Sequence, residues 1–279
     1  MKDPVTMRRQ LVAELRRLRA GRELTQKQVA DALDWSPSKI IRIEKASVGI
    51  SLTDLQGLLR LYAVEDPATV DALTEMSRGS KRLPFNEYRT DLPPETLRYF
   101  RYESSTTVLR QVEPLIVPGL LQTEEYARAL LRELGKSPET VERLWSARAE
   151  RQELLDREEP LPPEMFFIVG EAVVRQVVGN EGVLRRQRER LSELNARPRI
   201  SIQVLAFADQ ANIAMQGPFT YLAFEDTEDP DVLYAEGTLG DSVIRDDEEL
   251  TTSYLDHFLK LEKEIALKAT DLDNFLSQL

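Results

Sequence analysis

The 279-residue sequence contains no cysteine and only one histidine, His257. Without cysteine, disulfide bonds and thiolate metal sites are excluded, and the composition is compatible with a reducing cytoplasm. A metal site built from several histidines cannot form within one chain. His257 lies in a predicted helix among acidic and apolar residues, so a solvated or capping role is favoured over a catalytic one.

Long apolar segments are also absent. No run approaches the roughly 20 residues that cross a bilayer, and the first ten residues lead into a charged helix instead of the apolar core of a signal peptide. We therefore expect a soluble cytoplasmic protein with no membrane partner. The length predicts about two domains.

Residues 24–44 predict two short helices joined by a tight turn. Thr25 and Gln28 have the spacing of a capping box, which satisfies free amide groups at the start of a helix. Ser36 as N-cap and Pro37 at the first helical position predict the start of the second helix. A helix pair of this kind can present its second helix to a DNA groove.

The second predicted helix has two distinct faces. Ile40 and Ile43 form its inward apolar side, and Ser38, Lys39 and Arg42 point outward. Amphipathic helix pairs also occur in helical domains that never touch nucleic acid, so this pattern alone leaves both interpretations open.

The helix pair resembles that of the lambda-repressor-like helix-turn-helix family, also called the Xre family, in which the second helix reads the major groove. The likeness extends from Leu11 in the first predicted helix to Leu61 and Tyr62. It implies an all-α N-terminal domain with double-stranded DNA as partner, and Gln26 as a phosphate anchor. The predicted DNA-binding residues are Gln26, Pro37, Ser38, Lys39, Arg42 and Lys45.

By the same resemblance, Arg19 and Glu44 match a pair that forms a salt bridge within such domains. Three positions depart from the family pattern: Asp34 replaces the usual turn glycine, Ala46 replaces a glycine after the third helix, and Ile50 replaces a frequent proline. Because Asp tolerates left-handed backbone better than most residues, we expect the turn to survive.

Charge is distributed unevenly along the chain. Residues 1–62 contain 12 Lys and Arg against 7 Asp and Glu, a net charge of +5, whereas the remainder contains 25 against 41, a net charge of −16. A basic module on an acidic body suits a phosphate-binding head joined to a separate partner domain. This asymmetry favours DNA binding over the purely structural interpretation.

Residues 78–96 contain glycine, prolines and charged residues, which interrupt regular secondary structure. They predict a linker between a helix-turn-helix domain at 1–77 and a second domain at 97–279. Mixed helical and alternating patterns predict an α+β second domain with one small sheet covered by helices. The predicted strands are Met165–Val169, Ile200–Phe207, Phe219–Phe224 and Val232–Ala235. The predicted helices cover about 123–134, 138–156, 181–196 and 247–267.

Four separated blocks of the second domain resemble the C-terminal domain of WhiJ-like and antitoxin-like Xre regulators of actinobacteria. The blocks are Glu113–Ala127, Arg148 with Arg151–Gln152, Gly170–Arg175 and Gln216–Thr220. The likeness covers nearly all of residues 97–270. It implies a transcription regulator that often acts beside a small partner protein, and it implies no established chemistry.

An enzyme is the least supported function, and no cofactor or metal is predicted. Glu171 and Glu236 follow predicted strands and could share a cleft as an acid–base pair. Charged residues at strand ends are more often solvated or paired with an arginine such as Arg175, and we favour that interpretation.

The leading hypothesis is a sequence-specific transcription regulator, a homodimer whose second domain dimerises and receives a protein or small-molecule signal. The alternative is an antitoxin-like protein that sequesters a small partner protein and autoregulates its own promoter. A C-terminal apolar stripe could bury one face against a second subunit or pack on its own domain. The stripe consists of Leu255, Phe258, Leu261, Ile265, Leu272 and Leu276.

Overall fold

The computed structural model describes residues 4–46, 48–80, 84–158, 161–209, 217–225, 230–237 and 240–279. The chain divides into two compact units, residues 1–86 and 87–279, and the division falls inside the predicted linker. The predicted fold class is confirmed, because the first unit is helical and the second combines a sheet with helices. Among the described residues, no helix is both long and apolar enough to span a bilayer.

The first unit is a bundle of short helices around one apolar core. The helices are α1 Pro4–Gly21, α2 Gln26–Ala32, α3 Pro37–Glu44, α4 Leu52–Leu61 and α5 Pro67–Gly79. All five contribute buried side chains to the core, which includes Leu11, Leu15, Val29, Ala30, Ile40, Ile43, Leu55, Leu58 and Leu73. Burial of these side chains fixes the faces that α2 and α3 turn inward.

The start of α2 is capped as predicted. The Thr25 hydroxyl accepts a hydrogen bond from the Gln28 backbone N–H, and the Gln28 side chain accepts one from the Thr25 N–H at 2.8 Å. Two of the unsatisfied N–H groups of the helix start are thereby paired, which completes the capping box.

The start of α3 differs from the prediction. Ser36 occupies the N-cap position, but its hydroxyl makes no capping hydrogen bond and lies 3.1 Å from the Ser38 hydroxyl instead. The two neighbouring hydroxyls satisfy each other. Pro37 has no N–H to satisfy and already holds the helical φ, so the helix begins without a side-chain cap.

The turns on either side of α3 keep left-handed backbone without glycine. Asp34 has a φ of 55° and Ala46 a φ of 56°. The expectation that the turn survives the replacement of its glycine by Asp34 is therefore confirmed. Ala46 adopts the same conformation without the local hydrogen bonding of an Asp side chain, at a cost in backbone strain.

The second unit contains strands and helices in alternation. Its strands are β1 Val108–Glu113, β2 Glu164–Gly170, β3 Ile200–Leu205, β4 Phe219–Ala223, β5 Val232–Ala235 and β6 Ser242–Ile244. Its α-helices are α6 Pro94–Glu103, α7 Glu124–Glu133, α8 Pro138–Gln152, α9 Glu171–Arg175, α10 Glu181–Asn195, α11 Glu248–Lys260 and α12 Leu272–Leu276. The last turn of the predicted 247–267 helix is a π-helix, Leu261–Ile265.

The strands form one mixed sheet in the order β3-β2-β1-β4-β5-β6. The first three strands are parallel, with α7–α8 and α9–α10 as crossovers, and the last three pair antiparallel.

The four predicted strands are confirmed, but β1, β6 and helix α6 were not predicted. Arg110 and Gln111 interrupt the apolar pattern of β1, although the Arg110 guanidinium stacks on the Phe166 ring.

The C-terminal apolar stripe packs largely within its own unit. Phe258 and Leu261 are fully buried in a core that includes Val112, Leu205 and Leu233 from the sheet. Leu272 and Leu276 are also buried. Of the two uses predicted for the stripe, packing on its own domain is therefore the one observed.

Candidate nucleic-acid interface

Helix α3 separates its buried and exposed residues cleanly. Ile40 and Ile43 are 1% and 2% exposed, as predicted, and anchor the helix in the core of the first unit. Pro37, Ser38 and Arg42 are exposed, and the predicted site residue Lys45 follows at the exposed C-cap. The exposed side consists of a small N-terminal end and two cations further along, which is a shape that a groove can accept.

An exposed isoleucine lies beside Arg42. Ile41 is 36% exposed, one of the larger apolar side chains of the first unit that solvent reaches. Apolar side chains on a recognition helix contact the methyl group of thymine. The exposed side of α3 thus offers both a hydrogen-bonding group and an apolar group.

One buried carboxylate joins the three helices around this surface. Arg19 of α1 donates to both carboxylate oxygens of Glu44 at the end of α3, at 2.7 and 3.0 Å. This confirms the predicted salt bridge, and the hydrogen bond to Glu44 raises the pKa of Arg19. Bidentate geometry around a buried carboxylate fixes the angle at which α3 leaves the core.

The carboxylate of Glu44 also receives the side chain of Gln26, whose amide nitrogen donates to it at 2.7 Å. The predicted phosphate anchor is therefore tied to the end of α3 through its side chain. Gln26 occupies the first position of α2, where a backbone N–H has no acceptor within the helix. That N–H is the group of Gln26 best suited to a phosphate.

Lys39 has close protein partners in this structure. Its ammonium lies 2.7 Å from a carboxylate oxygen of Asp54 and 3.9 Å from the centre of the Trp35 ring. The Ser51 hydroxyl caps α4 by accepting from the Asp54 N–H, and the Asp54 side chain binds Lys39. For Lys39 to reach DNA, a phosphate or base would have to replace Asp54 as its partner.

Three exposed cations lie on the helix pair. Arg42 and Lys45 follow the outer side of α3, and Lys27 adds an exposed cation next to Gln26 at the start of α2. Lys27 was not among the predicted DNA-binding residues, because its exposure depends on how α2 packs. A cluster of cations around a helix N-terminus favours phosphate binding.

The two carboxylates considered for catalysis lie apart. Glu171 receives hydrogen bonds from Arg175 Nε at 2.6 Å and from the Phe207 N–H at 2.9 Å. Glu236 lines a cavity together with Glu113, and Glu171 does not contribute to that cavity. The favoured interpretation, pairing of Glu171 with Arg175, is confirmed.

Comparison with protein families gives two matches that follow the two units. A family model described as "Helix-turn-helix domain" matches residues 10–73. A model described as "Domain of unknown function (DUF5753)" matches residues 96–276, which is more than half of the chain. The chain belongs to the DUF5753 family. Searches for similar curated proteins and similar solved structures returned no match for this DUF5753 protein.

The helix-turn-helix match spans α1 to α4 and part of α5, and thus includes the surface formed by α2 and α3. A helix-turn-helix domain indicates a DNA-binding regulator more than an enzyme. The DUF5753 match covers the mixed sheet and the helices around it.

Proposed function

We propose that this protein is a sequence-specific transcription regulator that binds double-stranded DNA as a homodimer, with α3 in the major groove. The observation that carries the proposal is the exposed polar side of α3, held rigidly on a basic helical unit by the Arg19–Glu44 pair. In the same proposal, the second unit contributes to dimerisation and receives the signal that changes DNA binding.

Each exposed group has a role that fits its chemistry. Arg42 supplies a bidentate contact to the O6 and N7 atoms of guanine, a contact worth about 1–3 kcal/mol against a wrong base. Pro37 and Ser38 lie at the N-terminal end of α3 and approach the base edges. Lys45 and the Gln26 backbone N–H bind phosphates and fix the register of the helix.

Dimerisation supports this function physically. Two symmetric units bound one helical turn apart read an inverted repeat, so affinity and specificity rise together. The resemblance of the helix pair to the lambda-repressor-like family, many of which work as pairs on such repeats, agrees with this arrangement.

Substitution of Arg42 tests the function. The DNA site is first selected from genomic fragments, and affinity is then titrated by gel shift at fixed salt. We expect Arg42→Ala to weaken binding to this site about 10- to 100-fold, and to reduce discrimination at one guanine position.

Arg60→Ala is the matched control, since Arg60 is an exposed arginine near the end of α4, in the same basic unit. It should change affinity much less than Arg42→Ala. Equal affinities for wild type and Arg42→Ala would show that α3 is not the recognition helix.

The antitoxin-like function remains the alternative, and the net charge of −16 outside residues 1–62 is the observation that favours it. An acidic unit attracts a small basic protein. Purification from the native host distinguishes the two: a stoichiometric small partner whose removal changes DNA affinity favours sequestration, and a homodimer that binds its site unaided favours the regulator.

A further inference from the structure

The second unit contains a partly open cavity of about 240 Å³. Helix α6 and strand β5 form one side of it, α8 forms another, and the segment between β1 and α7 forms a third. The blocks Glu113–Ala127 and Arg148–Gln152, which are far apart in the sequence, meet at this cavity. Its volume equals that of roughly eight molecules of liquid water, which suits a compound of amino-acid size.

Arg148 brings a cation with two unsatisfied nitrogens to the cavity wall, where Glu236 is a nearby acidic group. Its Nε and Nη1 atoms are out of reach of solvent and have no hydrogen-bond partner among the described residues. Burial and the neighbouring Arg151 lower the pKa of Arg148 to about 10, so the guanidinium is still charged at neutral pH. A buried charged donor without an acceptor costs free energy in the absence of a ligand.

The neighbouring Arg151, in the same wall of the cavity, has a carboxylate as its hydrogen-bond partner. Its Nε and Nη2 atoms donate to the two carboxylate oxygens of Glu103 at 2.7 and 2.8 Å, and its guanidinium lies 3.9 Å from the centre of the Phe100 ring. Arg151 therefore serves to hold α8 on α6. Arg148 lies one turn earlier on α8, and its Nε and Nη1 atoms make no such carboxylate contact among the described residues.

Gln122 adds an unsatisfied acceptor. Its side-chain nitrogen donates to the Val117 carbonyl at 2.6 Å, which fixes the orientation of the amide. The remaining atom, Oε1, is buried and has no hydrogen-bond partner among the described residues. A ligand that fits here must present a hydrogen-bond donor to this oxygen.

Glu113 supplies a third polar group. It is only 4% exposed, and burial together with the nearby Glu236 raises its pKa to about 8. At neutral pH the carboxyl is mostly protonated and can donate a hydrogen bond. A ligand carboxylate could thus lie between the Arg148 guanidinium and the Glu113 hydroxyl without repulsion from Glu113.

The wall that carries these groups is held in place before any ligand arrives. The Gln152 side chain donates to the carbonyls of Gly119 and Gln122 at 3.0 and 2.8 Å. A Cβ at Gly119 would lie 3.0 Å from Arg151 Nη1 and 3.7 Å from Arg148 Nε, so glycine lets the backbone close over both guanidinium groups. A site organised in this way loses little entropy on binding.

We propose that this cavity binds a small carboxylate that also carries a hydrogen-bond donor, the chemistry of an α-amino or α-hydroxy acid. The carboxylate pairs with Arg148, and the donor satisfies Gln122 Oε1. As the signal site of a regulator the assignment rests on the proposed function, but binding itself requires no DNA.

The first experiment measures binding to the full chain by calorimetry and thermal melting. The probes are the twenty common amino acids, lactate, malate and glycerate, with propionate and amino-acid methyl esters as compounds that lack one of the two groups. At least one amino or hydroxy acid should bind and raise the melting temperature by about 2 °C or more at millimolar concentration. The esters, which lack the carboxylate, should not bind.

Arg148→Gln tests the cation, and Arg132→Gln is the matched control on the exposed surface of α7. Arg148→Gln should weaken binding at least tenfold and Arg132→Gln should leave it unchanged. Because Arg148 Nε and Nη1 have no partner in the ligand-free cavity, Arg148→Gln should also melt no lower than wild type. A purely structural role for Arg148 predicts the opposite for the melting temperature.

Glu113→Gln gives a second test that does not depend on the folding of Arg148→Gln. Raising the pH through 8 ionises Glu113 and places a negative charge beside the ligand carboxylate, so binding to wild type should weaken several-fold. In Glu113→Gln, the ligand affinity should decrease much less over the same pH range. The other titratable groups that line the cavity or act on Glu113 are Tyr99, Tyr126, Arg148, Arg151, Tyr234, Glu236 and Asp241.

The proposal is overturned if no amino or hydroxy acid binds, if the esters bind as well as the acids, or if Arg148→Gln folds and binds like wild type. Because these titrations contain no DNA, their failure leaves the DNA-binding proposal standing. Conversely, a ligand that binds in the cavity while Arg42→Ala has no effect on DNA affinity would support the site and refute the recognition helix.

Discussion

One buried carboxyl group in each unit shows a different way of accommodating the charge: Glu44 has a cationic partner, and Glu113 has none among the described residues. Glu44 in the first unit is bound by Arg19 and Gln26, so its charge is fully compensated and serves to hold α1, α2 and α3 together. Glu113 in the second unit accepts backbone hydrogen bonds from Leu115, at 3.4 Å, and from Ile116, but no cationic partner in the described part of the chain offsets its burial, and Glu236 is nearby. The first arrangement stabilises the fold, and the second keeps a proton on a buried acid.

Glu113 should make the stability of the protein depend on pH. Between the ordinary carboxyl value of 4.5 and the native pKa of about 8, the native state holds a proton that the unfolded state has lost. The free energy of unfolding contributed by this group therefore falls as the pH rises through that range. Glu113→Gln should gain stability relative to wild type by about 3–5 kcal/mol between pH 4.5 and pH 8.

Urea denaturation at pH 5, 6.5 and 8 measures this difference. Glu142→Gln is the control, because Glu142 is an exposed carboxylate whose pKa is lowered by Arg128, so it stays ionised in both states over this range. Its effect on stability should not change with pH. A constant difference between Glu113→Gln and wild type from pH 5 to pH 8 would contradict the raised pKa.

Among the elements, α3 is held at both ends by backbone that non-glycine residues rarely adopt. Asp34 before it and Ala46 after it both have positive φ. The Asp side chain lowers the cost at the first position, but Ala46 has no such help. The C-terminal end of α3 therefore carries strain of about 1 kcal/mol, which the packing of Ile43 and the Arg19–Glu44 pair offset.

Ala46→Gly should relieve this strain of about 1 kcal/mol while adding about 0.4–1 kcal/mol of unfolded-chain entropy, so the free energy of unfolding should be unchanged or rise by up to about 0.5 kcal/mol. Ala13→Gly makes the same substitution at an exposed position inside α1 and should lower stability by about 1 kcal/mol. Denaturant titration compares the two. If Ala46→Gly is destabilising by as much as Ala13→Gly, the positive φ carries no strain.

At the scale of the whole molecule, each unit has its own core. The core of the first unit is formed by residues of α1 to α5 and of the segments between them, and that of the second is formed by the sheet with α11 and the π-helix. Residues 1–86 should therefore fold without the rest of the chain. The net charge of +5 on residues 1–62 favours attraction of this unit to phosphate groups.

The fragment 1–86 tests whether the second unit supplies dimerisation. It should unfold cooperatively and be monomeric by sedimentation equilibrium, whereas the full chain should be a dimer. Its affinity for the full inverted repeat should be at least about tenfold weaker than that of the full chain, because the two binding events are no longer linked. On a half-site the two proteins should bind alike. Equal affinities for the full repeat would show that the second unit does not dimerise the protein on DNA.

Several features of the helix-turn-helix unit could be predicted because they depend on neighbours in the sequence. The Thr25–Gln28 capping box and the inward positions of Ile40 and Ile43 follow from local spacing and helical period. Because Asp tolerates left-handed backbone, the residue type at position 34 was sufficient to predict that the turn is kept without glycine. Strand β1 was missed because its polar residues are satisfied by partners remote in sequence, such as the Phe166 ring beneath Arg110.

Helix starts, apolar faces, four strands and the contrast between a basic and an acidic part of the chain could all be predicted from the sequence. These depend on spacing, side-chain chemistry and composition, which need no knowledge of distant contacts. The fold was needed to show that Gln26 and Lys39 have carboxylate partners, that Glu236 lines a cavity with Glu113 and without Glu171, and that Arg148 Nε and Nη1 lie in the wall of that cavity without a hydrogen-bond partner among the described residues. Those relations depend on chain segments far apart in sequence, brought together by burial of the two cores.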